Sequence, residues 1–169
     1  LYFIQERFPA YQGQAAAKPT SLLIMMVGLA LLVSSLPAGW LTDRFGTRKL
    51  LLVSGILALV GSVVVLLAPG LPVMYVGGVI VGLGIGIFYS ANWALGTSLV
   101  PKEQAGRYLG LSNLAGAGAG AIGAYIGGPI GDSAGFTLLM AIYGCLFLFS
   151  TLALLRIKTS PVEPAQVAL

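Results

Sequence analysis

Charge is what this sequence most conspicuously lacks. Only 8% of its 169 residues are charged, against about 25% in a soluble domain. So few charges cannot clothe a water-facing surface, and lipid is the expected solvent. Histidine is absent and Cys145 is the single cysteine, which excludes a disulfide framework and a Cys/His metal site within the chain. There is no nucleophile-plus-base set and no phosphate loop. The glycine-rich run "GVIVGLGIG" (78–86) lies inside an apolar stretch, so it is not read as a nucleotide fingerprint. No enzyme activity, cofactor or metal is therefore expected. The net charge of +4 does not point to nucleic acid, because the bases sit in short segments between apolar runs, where they report topology. The start "LYFIQERFPAYQ" has no basic region ahead of an apolar core, so it is not read as a signal peptide. It also lacks an initiator Met, and the chain is expected to be a fragment or a processed product.

Long apolar runs fill the rest. Hydrophobic residues make up 57% of the chain and the mean hydropathy is +0.95. A helix needs roughly 20 apolar residues to cross a hydrocarbon core about 30 Å thick. Five uncharged runs reach that length, at about 20–42, 50–68, 73–100, 108–131 and 134–155. The stops are sharp: "PGLP" at 69–72, Pro101 with Lys102 and Glu103, and Arg156 with Lys158. The expectation is an all-α integral membrane protein with one transmembrane domain. Residues 1–19 would form an outer segment carrying the stub of a preceding helix (Leu1 to Ile4), and 156–169 a cytoplasmic tail. The positive-inside rule sets the orientation. One side would hold Arg44, Arg48, Lys49, Lys102, Arg107, Arg156 and Lys158, and the other only Arg7 and Lys18. The first side is thus expected to be cytoplasmic, in an inner or plasma membrane.

Glycine, at 24 residues, is the most informative type. In water a helical glycine costs roughly 1 kcal/mol relative to alanine. Between helices in lipid, small residues allow backbones to approach. The third span places Gly78, Gly82 and Gly86 on one face, and the fourth carries a small-residue stripe through Gly106, Gly110, Asn113, Ala117, Gly120, Ala124, Gly127 and Gly131. Such faces suit either static packing or a surface along which helices slide. Polar groups at membrane depth are the second signal, since they are costly without partners. Tyr89 and Trp93 lie one turn apart on the third span with Asn92 beside them, and Asn113 lies in the corresponding half of the fourth. Rings and amides in this arrangement suit a polar organic solute. They equally suit an interfacial aromatic belt with Asn92 and Asn113 bonding neighbouring helices. No Asp, Glu, Lys or Arg lies deep in a span, so the residue titrating with a coupling proton would lie outside this chain.

The charges that do exist gather in "GWLTDRFGTRK" (39–49). Gly39 and Gly46 permit a tight turn or close approach. Asp43 could sit at the positive end of a helix dipole, and Arg44, Arg48 and Lys49 could pair with it or with lipid phosphate. Topology explains the bases but not an acid set between two glycines. These residues resemble the signature loop of the major facilitator superfamily, approximately G-x-x-x-D-R-x-G-R-R. The match covers Gly39, Asp43, Arg44, Gly46 and the basic pair Arg48 and Lys49; Thr47 departs from it, displacing the pair by one. The later stretch "VPKEQAGRYLGLSN" (100–113) is similar to the family's Pro-…-Arg-…-Gly turn.

The resemblance implies most of one six-helix half of a major facilitator fold, the C-terminal half, spanning helices eight to twelve of twelve. It implies two bundles rocking about a central cavity, with the other half, the bilayer, a small solute and a coupling proton or cation as partners. Asp43 would be a gate residue capping a helix of the other half. Residues 91–124 look similar to sugar-type members such as sucrose-like transporters. A drug exporter on the same scaffold, a non-transporting assembly or receptor component and, more remotely, an intramembrane enzyme are the alternatives.

Overall fold

A computed structural model describes residues 1–99 and 104–156. The expected end of the third span at Val100, the stop at Pro101, Lys102 and Glu103, and the tail from 157 with Lys158 lie outside the described residues. The chain opens with a short helix α1 (Tyr2–Arg7) and a 3-10 turn (Gly13–Ala16). Five long helices follow: α2 (Ala17–Phe45), α3 (Thr47–Leu67), α4 (Leu71–Leu99), α5 (Ala105–Ala134) and α6 (Phe136–Leu154). All five are long and apolar enough to cross a membrane. The described residues contain no strand, as a bilayer demands of any span that is not a closed barrel. At 1.5 Å per residue, α2 and α4, with 29 residues each, reach about 43 Å. They overshoot the hydrocarbon core and must tilt or protrude.

Two glycines make the sharpest connections. Gly46 alone joins α2 to α3, with φ 89° and ψ 141°. Its N–H donates to the Thr42 carbonyl at 2.9 Å, and its own carbonyl accepts from the Leu50 N–H at 3.4 Å. Gly135 joins α5 to α6 in the same conformation, φ 89° and ψ 150°. A side chain at such a φ is strained. One residue therefore closes one helix and opens the next, once at each end of the bundle.

Helix α4 is the centre of the packing because it carries two glycine faces. One is Gly78, Gly82 and Gly86, directed at α2. A Cβ on Gly78 would stand 2.5 Å from Leu23 Cδ1, and Cβ atoms on Gly82 and Gly86 would run into the carbonyl oxygens of Val27 and Leu31. The second face is Gly77 and Gly84, directed at α3. A Cβ on Gly77 would lie 2.8 Å from the Val65 nitrogen, and one on Gly84 2.8 Å from the Ser54 oxygen and the Ala58 nitrogen. Gly61 of α3 returns the contact, 2.6 Å from the Val81 nitrogen. The pairings rise together between α2 and α4 and run oppositely between α3 and α4, so α3 is antiparallel to both neighbours. Helix α6 lies on the far side of α3, where Gly55 makes room for Thr151 and Gly144 faces Ser62. The hydroxyls in these seams bond their own helices: Ser54 to the Leu51 carbonyl, Ser62 to Ala58 and Thr151 to Phe147, at 2.7–2.8 Å. Among the described residues, no buried side-chain polar atom lacks a partner.

Helix α5 departs from the expectation that its small stripe lies against another backbone. Gly106, Gly110 and Gly120 meet nothing within 4 Å among the described residues. Among the described glycines of the stripe, those at the far end touch a neighbour, and they meet side chains: Gly127 faces the Tyr143 hydroxyl and Gly131 the Phe136 ring. The reason is geometric. Helix α5 meets α4 near Gly96 and Leu109 and α6 near Gly127 and Gly131, so its middle stands clear.

At that far end Glu6 closes the bundle. Its carboxylate accepts the backbone N–H groups of Phe136 (2.5 Å) and Thr137 (3.1 Å), the free donors at the start of α6. A Cβ on Gly135 would stand 3.1 Å from its Oε1. Phe136 in turn stacks on Tyr2, with ring centroids 5.2 Å apart. The Thr137 hydroxyl, with smaller help from the two amides, holds the Glu6 carboxyl below its usual value against the opposing effect of desolvation. A carboxyl lowered on folding contributes stability above its unfolded pKa and loses it as pH falls through the lowered value. The cap thus stands throughout the neutral range.

Two measurements check this packing. Gly82→Ala should destabilise the purified protein by about 1–3 kcal/mol, because backbone must move to admit the methyl group. Gly28→Ala on α2, whose Cβ would meet open space, should leave the unfolding temperature unchanged or raise it. Glu6→Gln should cost about 1 kcal/mol or less at neutral pH, the worth of a surface cap. That difference from wild type should vanish as unfolding is followed to acid pH.

Candidate functional site

The charged segment is helical almost throughout. Gly39 to Phe45 belong to α2, Thr47 to Lys49 to α3, and the loop between them is Gly46 alone. Gly39 contributes no turn; it sits inside α2, where its Cβ would make an ordinary 3.9 Å contact with Ser90 Oγ of α4. Thr42 is buried, and its hydroxyl bonds the Ala38 carbonyl at 2.6 Å. Asp43 follows it on the last turn of α2 and is exposed. Within its own helix Asp43 stands at the negative end, where a carboxylate is disfavoured, so a positive helix end for it must belong to another helix.

The bases of this segment are engaged elsewhere or exposed. The Arg44 guanidinium lies over the rings of Trp40 and Phe45, 5.2 and 5.7 Å from their centroids, a geometry that holds a cation on aromatic faces. Arg48 donates from Nη2 to the Leu155 carbonyl at 2.6 Å, tying the start of α3 to the end of α6. Lys49 is exposed. None of the three pairs with Asp43, and among the described residues Asp43 forms no ion pair or hydrogen bond. The site therefore presents an exposed carboxylate, disfavoured by its own helix and without a cation.

Tyr89, Asn92 and Trp93 are all exposed on α4; by helical spacing Tyr89 and Trp93 continue the line of Gly78, Gly82 and Gly86, and they are uncovered because α2 leaves that line to pass Ser90. Tyr89 is 63% and Trp93 57% exposed, large values for aromatic rings at the centre of a bundle's packing. Tyr89 meets Phe88 edge-on, with centroids 6.3 Å apart. Asn113 is exposed on α5. No hydrogen bond joins it to the other three among the described residues, but the registers agree. Helices α4 and α5 meet where Leu109 Cδ2 comes 3.9 Å from the Cβ position of Gly96. One turn deeper, roughly 6 Å, stand Asn92 and Trp93 on one helix and Asn113 on the other. These four residues do not line the cavity of about 90 Å³, which lies between α3, α4 and α6.

Three contacts had no usable signal in the sequence. The Glu6 cap joins residues 130 apart. Arg48 bonds a backbone carbonyl, which carries no residue identity. The second glycine face of α4 is spaced by seven residues inside a run already dense in glycine.

Comparison with known proteins agrees with this architecture. The sequence model of the Major Facilitator Superfamily matches residues 8–168. Inositol transporter 4 of Arabidopsis thaliana is 32% identical over 87 residues, covering 52% of this chain and 15% of that protein. The uncharacterized MFS-type transporter YfiU of Bacillus subtilis (strain 168) is 29% identical over 141 residues, covering 77% of this chain and 27% of its own. Myo-inositol transporter 2 of Schizosaccharomyces pombe (strain 972 / ATCC 24843) is 34% identical over 86 residues, covering 51% and 15%. The chain thus spans well under a third of the length of these relatives. No solved structure matches it significantly. With the family match running over nearly the whole chain and five membrane-length helices beneath it, this is a multi-pass membrane protein of the Major Facilitator Superfamily.

Proposed function

We propose that the chain forms most of one six-helix half of a secondary transporter that carries a small polyhydroxylated solute, a sugar, glycoside or cyclic polyol, by alternating access. The observation that carries this reading is the exposed, partnerless carboxylate of Asp43. A charge disfavoured by its own helix and left unpaired by three nearby cations is suited to a partner outside the chain. A helix N-terminus of the other half would supply that partner in one access state and withdraw it in the other, which biases the equilibrium between them. The glycine faces of α4 support a half that moves as one piece, because they bring its backbone into direct contact with α2 and α3. Tyr89, Asn92, Trp93 and Asn113 would face the solute, with rings against its C–H faces and amides on its hydroxyls. The names of the inositol-carrying relatives support a polyol or sugar over a greasy drug. By the positive-inside rule the Asp43 end faces the cytoplasm of a cell membrane, with the C-terminus on that side. A coupling proton or cation would be held by residues of the other half.

In proteoliposomes of the full-length parent, Asp43→Asn should slow uptake of labelled myo-inositol or sucrose by about tenfold, the effect of losing one charge-assisted hydrogen bond in one access state. Membrane insertion should be unchanged. Wild-type uptake by the variant would overturn the gate role. Dye export without sugar uptake by the wild type would overturn the solute class.

A further inference from the structure

The cavity of about 90 Å³ between α3, α4 and α6 plays no part in the gate or the solute face. Its floor is hydrocarbon: Leu51 and Ala58 of α3, Phe88 of α4, Phe147 and Leu154 of α6. The hydroxyls of Ser54 and Thr151, which also line it, are turned into their own helices, donating to the carbonyls of Leu51 and Phe147. Ser150 on its rim is exposed, while Gly55 and Leu154 are half-buried. The α3 lining is buried apart from Gly55, which Thr151 covers, so α3 forms the floor and the cleft opens outward between α4 and α6. Its end lies directly beneath a basic cluster. Leu51 is one turn from Arg48, and Leu154 is two residues from Arg156. Arg48 reaches across this end of the cleft to the Leu155 carbonyl, which sets two guanidinium-bearing residues, Arg48 and Arg156, at the same edge. One bond to a carbonyl leaves most of the five Arg48 donors unused. Neither arginine forms an ion pair among the described residues. Both cations stand at one end of the cleft, and among the described residues no carboxylate pairs with either of them.

We propose that this cleft binds one anionic phospholipid, with its phosphate on Arg48 and Arg156 and the upper part of one acyl chain in the cavity below. Charge complementarity selects the headgroup, since a planar guanidinium matches phosphate oxygens in pairs. The apolar floor selects a tail over water, because the hydroxyls deep in the cavity, those of Ser54 and Thr151, are already bonded within their own helices. The lipid would clamp α3 to α6 at the same place where Arg48 already bonds Leu155.

The test is native mass spectrometry of the purified protein released from mixed micelles carrying equal phosphatidylglycerol and phosphatidylcholine. Wild type should retain a single phosphatidylglycerol with roughly thirtyfold preference, the scale expected of two interfacial cations. Arg156→Gln, whose side chain supports no other described contact, should lose that preference. Ser150→Phe, which places a ring in the cleft mouth, should weaken retention while leaving every charge in place. Arg44→Gln removes the same charge from α2, where it lies over Trp40, and should retain the lipid as wild type does. Equal retention of both lipids by wild type would overturn the proposal. So would equal losses in Arg44→Gln and Arg156→Gln, which would mean general surface attraction, or full retention in Ser150→Phe.

Discussion

Everything in this half-bundle depends on how closely the backbone of α4 approaches those of α2 and α3. In lipid, burying apolar side chains between helices gains little, because the solvent is as apolar as they are. What remains is dispersion between well-fitted surfaces and the requirement that every backbone polar group be satisfied within its own helix. Glycine serves both. It lets a neighbouring carbonyl or amide come to where a Cβ would stand, and it leaves the helical hydrogen bonds intact. The contacts of Gly78, Gly82 and Gly86 on one side and of Gly77 and Gly84 on the other make α4 the axis on which the other helices are hung.

That constraint shapes the proposed solute face. Because α2 crosses α4 and passes Ser90 beyond Gly86, the continuation of that glycine line, which carries Tyr89 and Trp93 with Asn92 beside them, is left uncovered. The same economy operates at the ends. Single glycines at 46 and 135 make the turns, so α2 runs on until Asp43 is exposed on its last turn. Arg44 is drawn to Trp40 and Phe45, and Arg48 to Leu155, which leaves the carboxylate alone. The isolated acid is thus a consequence of where its neighbours' better partners lie.

The five spans were legible in the sequence because hydropathy and charge stops are strong local signals, and helical bounds differ from them by a few residues. The turn at Gly46 was legible too, though its surroundings were read as a loop where they are helix. The glycine stripe of α5 misled as to its neighbour. Spacing shows that a face is small, but it cannot say whether the chain itself contains what covers that face. Asp43 was recognised by its company, while its position at the negative end of α2 required knowing that the helix continues to Phe45. The Glu6 cap and the Arg48–Leu155 bond were invisible. Each joins segments more than a hundred residues apart, and one partner in each is backbone, which any residue could provide.

The central functional claim is that the polar side of α4 and its counterpart on α5 line a water-filled path. Cys145 is the single cysteine, so a Cys145→Ser background is clean for thiol chemistry. Cysteines placed at Asn92 and Asn113 in the full-length parent should react with a water-soluble, membrane-impermeant maleimide, and added solute should slow that reaction. Reaction only with a lipid-soluble reagent, unaffected by solute, would place the face in the bilayer and contradict the account.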